Sequence, residues 1–343
     1  MQPNLTLAPS TDPTAIYRHR DALYASDMLI AALKELDLFS YLAPQPQSLE
    51  TICQHFHIHP RPADVMTTLF VASGWLERQN HLLALTPTAR DHLTQNSPWF
   101  IGPYFPPAKD RPIALDLLQC LHTGQPANFA SRKNHDDWHK AMETECFPRE
   151  FTAMMDCRGI LLAQALSQHL PLHHHHRLLD VAGGSGVYSC SLCAHFPNLS
   201  ATVLEKPPVD QIAAQAIHDR NLSHRIQTTA LDMLTTPWPR DHDVHLLSNV
   251  IHDWDIPVVK QLLHASAQSL PHNGLLIVHD TFLNPGKTGP LHVAEYSVLL
   301  MHVTQGRCYS ESEITTWAAE ANLTPVNHVP SAAHRSALLF HKT

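Results

Sequence analysis

Acidic side chains follow the apolar segments in the second half of this chain. Asp180 leads into a stretch of small residues, 182–186, and a carboxylate there would repel a phosphate but attract a cofactor that carries a cationic amino group and a sulfonium. Glu205 ends the next apolar segment, where an acid can accept hydrogen bonds from both hydroxyls of a ribose. Asp232-Met233 follows a later segment, and an acid beside a flat apolar side chain could hold an adenine ring.

The elements that must position these acids are short apolar segments separated by helical stretches. This alternation predicts an α/β fold with a parallel, doubly wound, Rossmann-like sheet. The predicted strands are residues 177–181, 200–204, 243–247 and 275–278. Because ligands of such sheets bind at the carboxyl ends of the strands, we expect the acids to gather at that edge. The dinucleotide fingerprint GxGxxG is absent, since Ser189 stands where its third glycine would be.

Three segments of the chain resemble the small-molecule O-methyltransferases, a family that includes the plant caffeic acid and the hydroxyindole O-methyltransferases. They are residues 178–186, Asp232-Met233 and 248–254, of which His252-Asp253-Trp254 is the most specific part. The resemblance extends over nearly the whole chain and implies S-adenosylmethionine (SAM) as cofactor, a homodimer and a small, usually phenolic, methyl acceptor. The candidate cofactor-binding residues are Asp180, Ala182, Gly183, Gly184, Gly186, Glu205, Asp232, Met233 and Ser248.

Transfer of a methyl group from a sulfonium to a hydroxyl requires alignment and a base. A phenol, with a pKa near 10, is mostly protonated at neutral pH, and a histidine, with an ordinary pKa of about 6.5, is a suitable acceptor of its proton. The resemblance makes His252 the general base and gives Asp280 the role of holding its tautomer and stabilising its cation. The candidate residues of the acceptor pocket are Phe147, Phe151, Met155, Met301 and His302.

The chain departs from the family pattern at two places. Ala182 stands where the family usually has glycine, and it is small enough for SAM binding to survive. Cys308 stands where a second acid would steer the base, so His252 is expected to have a single carboxylate partner. Two other functions stay open: methylation of an enolic or aromatic carbon, in one form assisted by a metal at His252, Asp253 and His302, and SAM binding without turnover.

The histidines and cysteines outside these segments predict no metal site. The 28 histidines, with a tract at 173–176, indicate a compositional bias. Cys190 and Cys193 form a single CxxC without a second pair, so two buried thiols are expected there rather than zinc ligands. The seven cysteines are scattered, which is typical of reduced thiols and predicts a cytoplasmic protein. No signal peptide and no apolar run of about 18 residues is found, so no membrane is expected.

Residues 1–105 predict a winged-helix-like, mainly helical dimerisation domain, and residues 106–343 the methyltransferase domain, with a helical connector around 138–142 at its start. Between residues 49 and 79 two arginines stand against three acids, and the whole chain has a formal net charge of -8, so nucleic acid is not expected as a partner. The apolar first helix is expected to pair with a second copy of the chain. The predicted N-terminal elements are helices at 15–42, 49–56 and 63–73, the last after a break at Pro60 and Pro62, and strands at 75–77 and 81–85.

Overall fold

The computed structural model describes residues 4–127, 142 and 146–343, which belong to two compact units. The helical unit comprises Ile16–Arg132 and Leu283–Ser310, and the sheet unit comprises Met1–Ala15, Lys133–Phe282 and Glu311–Thr343. Each unit therefore consists of segments that are far apart in the sequence, whereas a single boundary near residue 105 was expected. Leu117 and Val298 show why: both are buried in the same apolar core as the N-terminal helices. The connector expected around 138–142 lies outside the described residues, apart from Met142.

The N-terminal helices differ from the predicted ones at the first helix and at the start of the third, whereas the helix predicted at 49–56 is present. The single helix expected over 15–42 is wrong, because a π-helical turn, Ala32–Leu36, and the left-handed Asp37 (φ +50°) interrupt it. The break expected at Pro60 and Pro62 is also wrong, since both lie in the first turn of a helix, where backbone N–H groups have no acceptor within the helix. The helices are α1 (Thr14–Asp21), α2 (Ala25–Ala31), α3 (Leu38–Leu42), α4 (Leu49–Phe56), α5 (Pro60–Ala72), α6 (Pro87–His92) and α7 (Pro112–Thr123).

A small antiparallel sheet accompanies the helix pair α4 and α5. The strand β1 (Gln47–Ser48) pairs with one side of β3 (Leu82–Leu85), and β2 (Leu76–Gln79) pairs with the other side. Ser48 caps α4, because its Oγ accepts a hydrogen bond of 3.0 Å from the Thr51 N–H. The order helix, helix, hairpin is the winged-helix-like pattern that the sequence predicts for residues 49–85.

The sheet unit contains a seven-stranded, mostly parallel sheet, and this confirms the predicted α/β fold. The strand order is β6-β5-β4-β7-β8-β10-β9, and β10 runs antiparallel to both of its neighbours. The four predicted strands are present, whereas β6, β9 and β10 were not predicted. Polar side chains hide the period of the two edge strands, β6 and β9. The strands are β4 (Arg177–Val181), β5 (Ser200–Glu205), β6 (Ile226–Ala230), β7 (Val244–Ser248), β8 (Leu275–Asp280), β9 (Leu323–Pro330) and β10 (Ser336–Lys342).

The connections between the parallel strands define where a ligand of this sheet would bind, at the carboxyl ends of the strands. After β4 the chain proceeds outward to β5 and β6, then returns to the other side of β4 as β7, so the topological switch point lies between β4 and β7.

No helix among the described residues has the length and apolar character to cross a membrane. The remaining helices are α8 (Phe147–Ser167), α9 (Val187–His195), α10 (Val209–Asp219), α11 (Ile256–Ser269) and α13 (Glu311–Glu320) in the sheet unit, and α12 (Leu291–Val303) in the helical unit.

Candidate active site

Asp180 is a buried carboxylate near the carboxyl end of β4, beside the switch point. One of its oxygens accepts a hydrogen bond of 2.7 Å from Ser189 Oγ in the first turn of α9. Its other oxygen, Oδ1, has no hydrogen-bond partner within the described part of the chain. Burial raises the pKa of Asp180 to about 6, although the hydrogen bonds from Ser189 oppose this. A buried carboxylate with one uncommitted oxygen is a suitable partner for a cationic ligand.

The small residues after Asp180 form a turn that larger residues could not build. A Cβ atom at Gly183 would lie only 2.7 Å from Cγ of Asp180, so only glycine fits against the carboxylate. Gly184 and Gly186 have left-handed backbones, with φ of +58° and +73°. Ala182, which replaces the family's glycine, has a φ of +54° and thus bears the strain of an L-residue in this region. Its N–H donates to the Leu204 carbonyl at 2.9 Å, which fixes the turn to β5.

Glu205 is the last residue of β5 and Asp232 comes shortly after β6, so the predicted acids do lie at the carboxyl ends of the parallel strands. Oε1 of Glu205 accepts a hydrogen bond of 2.8 Å from the Gly184 N–H, and loss of solvent raises the pKa of Glu205 to about 7. Asp232 is partly desolvated, but a hydrogen bond of 2.9 Å from the Leu234 N–H and the charge of Lys206 hold its pKa below the ordinary value. The three acids and the glycine turn could hold a nucleoside that carries positive charge.

A buried polar network that the sequence analysis missed surrounds Ser248 at the end of β7. Ser248 Oγ lies 2.8 Å from Nδ1 of His279 and 3.2 Å from Nδ2 of Asn249, which also donates to Tyr188 Oη at 3.0 Å. Burial lowers the pKa of His279 to about 3, so this ring is neutral. A signal was present: His279 is a histidine inside an apolar strand, directly before Asp280. The network fixes Ser248 beside the turn on β4.

His252 and Asp280 form the pair that the resemblance implies. His252 lies in a short 3-10 turn, Ile251–Asp253, and Asp280 is the last residue of β8. Nδ1 of His252 donates to Oδ1 of Asp280 at 2.5 Å, and both side chains are almost fully buried. Nε2, which carries the lone pair in this tautomer, lies 3.5 Å from Oδ1 of Asp253. The Thr281 N–H donates to Asp280 at 2.8 Å and helps to hold the carboxylate in place.

The charges around His252 strengthen it as a base. Burial favours the neutral ring, but the carboxylates of Asp280 and Asp253 prevail and raise the pKa of His252 above its ordinary value. The expectation of a single carboxylate partner is therefore wrong, because Asp253 also lies close to the ring. The reverse holds for Asp280: burial opposes its ionisation, yet the charge of His252 and their hydrogen bond lower its pKa. An imidazole that is held by an ionised acid through Nδ1 can take a proton at Nε2, and the negative charge of the acid then stabilises the imidazolium.

The candidate acceptor residues fall into two groups. Phe147, Phe151 and Met155 follow one another at intervals of one turn on a face of α8 in the sheet unit, and the two phenyl rings stack with centroids 5.8 Å apart. Met301 and His302 belong to α12 in the helical unit. Met301 is fully buried in the apolar core there. The ring of His302 lies 4.8 Å from that of Tyr24, and its Nε2 lies 3.3 Å from Oδ2 of Asp116.

The described residues contain no group of three or more histidine, cysteine, aspartate or glutamate side chains that could hold a metal ion. Cys190 and Cys193 are buried in α9, and burial raises the pKa of each thiol to about 12. Both are thus protonated side chains of the core, as the sequence predicts for this CxxC.

Comparison with known proteins matches residues 121–323 to the family model described as the O-methyltransferase domain. The 3-hydroxy-5-methyl-1-naphthoate 3-O-methyltransferase of Streptomyces sahachiroi is 28% identical over 94% of this chain and 92% of its own length. The tetracenomycin polyketide synthesis 8-O-methyl transferase TcmO of Streptomyces glaucescens is 26% identical over 89% of each chain. Among solved structures, an O-methyltransferase family 2 protein from Planctomyces limnophilus DSM 3776, in complex with apigenin, is 30% identical, with a TM-score of 0.90 over 99% of both chains.

Proposed function

Because this chain belongs to the O-methyltransferase family and uses SAM as its methyl donor, we propose that it methylates a hydroxyl group of a small aromatic metabolite, with His252 as the general base. The observation that carries this proposal is the buried His252–Asp280 pair at the same sheet edge as Asp180 and Glu205. The aromatic acceptor is supported by the relatives, whose names specify a naphthoate and a polyketide, and by the flavone apigenin bound to the Planctomyces protein.

The cofactor residues are proposed from the chemistry of the edge. Asp180 would receive the cationic part of the methionine moiety on its uncommitted oxygen, and the backbone of 182–186 would approach the ligand closely. Glu205 would accept hydrogen bonds from the ribose, and Asp232 with Met233 would hold the adenine. Ser248 would contact the cofactor from the end of β7. When bound, SAM supplies an electrophilic methyl group on a sulfonium.

The proton transfer is the part of the reaction that the residues of this chain perform. Nε2 of His252 takes the proton of the acceptor hydroxyl as the oxygen attacks the methyl carbon. Asp280 remains ionised, holds the Nδ1–H tautomer and stabilises the imidazolium that forms. Phe147, Phe151 and Met155 would provide an apolar face for the ring of the acceptor. This arrangement aligns the reactants and supplies a base, which is all that a displacement at a methyl group requires.

Methylation of an enolic or aromatic carbon is one alternative, and SAM binding without turnover is another. Cys308 in place of a second steering acid is the observation that favours the latter. The test is to incubate the protein with SAM and a panel of phenols that includes apigenin and hydroxynaphthoates. S-adenosylhomocysteine (SAH) release with an O-methyl signal in the product NMR spectrum is expected. A new carbon–carbon bond would support the first alternative, and SAM binding without SAH release from any acceptor would support a silent SAM-binding protein.

We also propose that the chain is a homodimer through its helical unit. Several large apolar side chains of that unit are exposed, among them Ile16 and Leu23 near α1, and Trp99 and Tyr104 farther along. Sedimentation should give a dimer, and the I16D/L23D double variant should give a monomer.

We do not propose nucleic acid as a partner of the winged-helix-like segment. Arg61 on α5 donates to the carbonyls of Gly124 and Gly306, both at 2.9 Å, so this arginine binds backbone within the unit rather than phosphate. The seven free thiols support the proposal of a cytoplasmic protein.

A further inference from the structure

A carboxylate on α8, outside the proposed cofactor residues, contacts the glycine turn. Asp156 follows Met155 on α8, and its Oδ1 accepts a hydrogen bond from Ser185 Oγ in the middle of the turn. Nη2 of Arg220, at the end of α10, lies 2.8 Å and 2.7 Å from the two oxygens of Asp156. Ser185 is buried, and the side chains of Arg220 and Asp156 are only 11% and 21% exposed. The three residues join α8, the turn and α10.

The turn combines one strained residue with flexible glycines. Ala182 has a left-handed backbone, which costs an L-residue energy, whereas Gly184 and Gly186 adopt theirs freely and leave the conformation to be fixed by neighbouring contacts. Apolar packing closes the space around it on both sides. A Cβ atom at Gly159 of α8 would lie 2.4 Å from Val187, and one at Gly186 would lie 3.1 Å from Ile217 of α10. Asp156 is the charged contact within this close packing of α8, α10 and the turn.

We propose that Asp156 is a positioning residue for SAM binding, which holds the cofactor turn in its binding conformation through Ser185. The inference rests on the proposed cofactor site at Asp180 and the turn. Arg220 contacts both oxygens of Asp156 and keeps the carboxylate oriented toward Ser185, and a hydrogen bond from a hydroxyl to a carboxylate is charge-assisted. Since α8 also carries Phe147, Phe151 and Met155, one helix fixes both the turn that binds the donor and the proposed apolar face for the acceptor.

The test is the affinity for SAH, measured by calorimetry on D156N, S185A and the double variant. Each single variant should bind about tenfold more weakly, in line with the loss of a charge-assisted hydrogen bond. The double variant should be no weaker than either single variant, because both remove the same contact. The KM for SAM should rise in step, while kcat at saturating SAM should change less than about threefold. S185A removes only a hydroxyl and serves if D156N does not fold.

The matched control is E320Q, which breaks an exposed ion pair of 2.7 Å between Glu320 on α13 and Lys260 on α11, neither of them a proposed cofactor residue. Its SAH affinity should equal that of the wild type. If D156N and S185A keep full affinity while D180N loses it, Asp156 has no positioning role and only this inference fails. If D180N also keeps full affinity, the proposed cofactor site itself is wrong. A lowered melting temperature with unchanged SAH affinity would assign Asp156 to stability alone.

Discussion

Two histidine–aspartate pairs lie at opposite ends of the parallel strands. At the carboxyl ends, which we call the carboxyl edge, Nδ1 of His252 lies 2.5 Å from Oδ1 of Asp280, and the two side chains are 4% and 1% exposed. At the amino ends, the amino edge, Nδ1 of His175 lies 3.1 Å from Oδ2 of Asp243, and the two side chains are 20% and 32% exposed. Asp243 also accepts hydrogen bonds from backbone N–H groups, including one of 2.7 Å from Arg177, so it fastens the start of β4.

This difference shows that position in the fold, rather than residue type, decides how strongly a histidine and its acid are desolvated, and it is the reason why His252 rather than His175 is the proposed base. Water screens the pair at the amino edge, and no predicted cofactor residue lies there. The pair at the carboxyl edge is desolvated, so each charge acts strongly on the other. In a chain with 28 histidines, the strand ends are therefore a better guide to the base than the histidines themselves. The following substitutions test the contrast, from the largest expected effect to the smallest.

The largest effect is expected for H252A. Loss of the general base should lower kcat by roughly 10²- to 10⁴-fold, because the acceptor hydroxyl must then lose its proton to water. The affinity for SAH should stay within about twofold of the wild type. Initial rates of SAH formation and calorimetry measure the two quantities. H175A is the matched control at the amino edge and should keep its kcat; equal losses in both variants would contradict the contrast.

D280N should have the next largest effect, a fall in kcat of roughly 10- to 100-fold. The charge of Asp280 helps to hold the pKa of His252 above its ordinary value, so its removal lowers that pKa. Activity requires the neutral ring, and the acidic limb of the profile of kcat/KM against pH should move to lower pH. D243N should leave the limb in place. A limb that stays fixed in D280N would show that another group titrates.

D180N should weaken SAH binding about tenfold or more, because an amide cannot replace the carboxylate opposite a cationic group. The pKa of Asp180 is about 6, so in the wild type its protonation should weaken SAH binding as the pH falls below about 6. This part of the pH dependence should vanish in D180N. Calorimetry at several pH values measures it, with D219N on the exposed end of α10 as control; a slope that is unchanged in D180N would exclude Asp180 as its cause.

The smallest effect concerns the strained backbone at the carboxyl edge. A182G should raise the free energy of unfolding by about 0.5–1 kcal/mol, because glycine relieves the left-handed strain at this position. The same substitution at the exposed Ala214 in α10 should lower it by about 1 kcal/mol. Denaturant titrations measure both. A loss of stability in A182G would show that the cost of a flexible unfolded chain outweighs the strain.

The sequence predicted that the acids gather at the carboxyl ends of the strands, and this placement was predictable because the information for it is local. Asp180, the small residues after it and Glu205 lie at the ends of apolar runs, and the fold of a parallel sheet alone brings such ends together. Asp280 was found through the family resemblance, and its contact with His252 joins two strand ends that are neighbours in the sheet.

The contacts that cross between helices could not be read in the same way. Asp156 meets Ser185 and Arg220 only through the packing of α8 on the turn and α10, and nothing in its sequence neighbourhood indicates this. The edge strand β9 was missed because most of its side chains are exposed, which leaves no apolar period. The internal strand β10 is different: its apolar run Ala337–Phe340 would have met the test that identified the other strands.

A crystal structure of the protein with SAH tests the central claim most directly. The account predicts that the ligand lies at the carboxyl ends of β4, β5 and β7, with its methionine part within hydrogen-bond distance of Asp180, its ribose at Glu205 and its sulfur on the side of His252. A ligand bound elsewhere, or one at this edge whose sulfur points away from the imidazole, would contradict it.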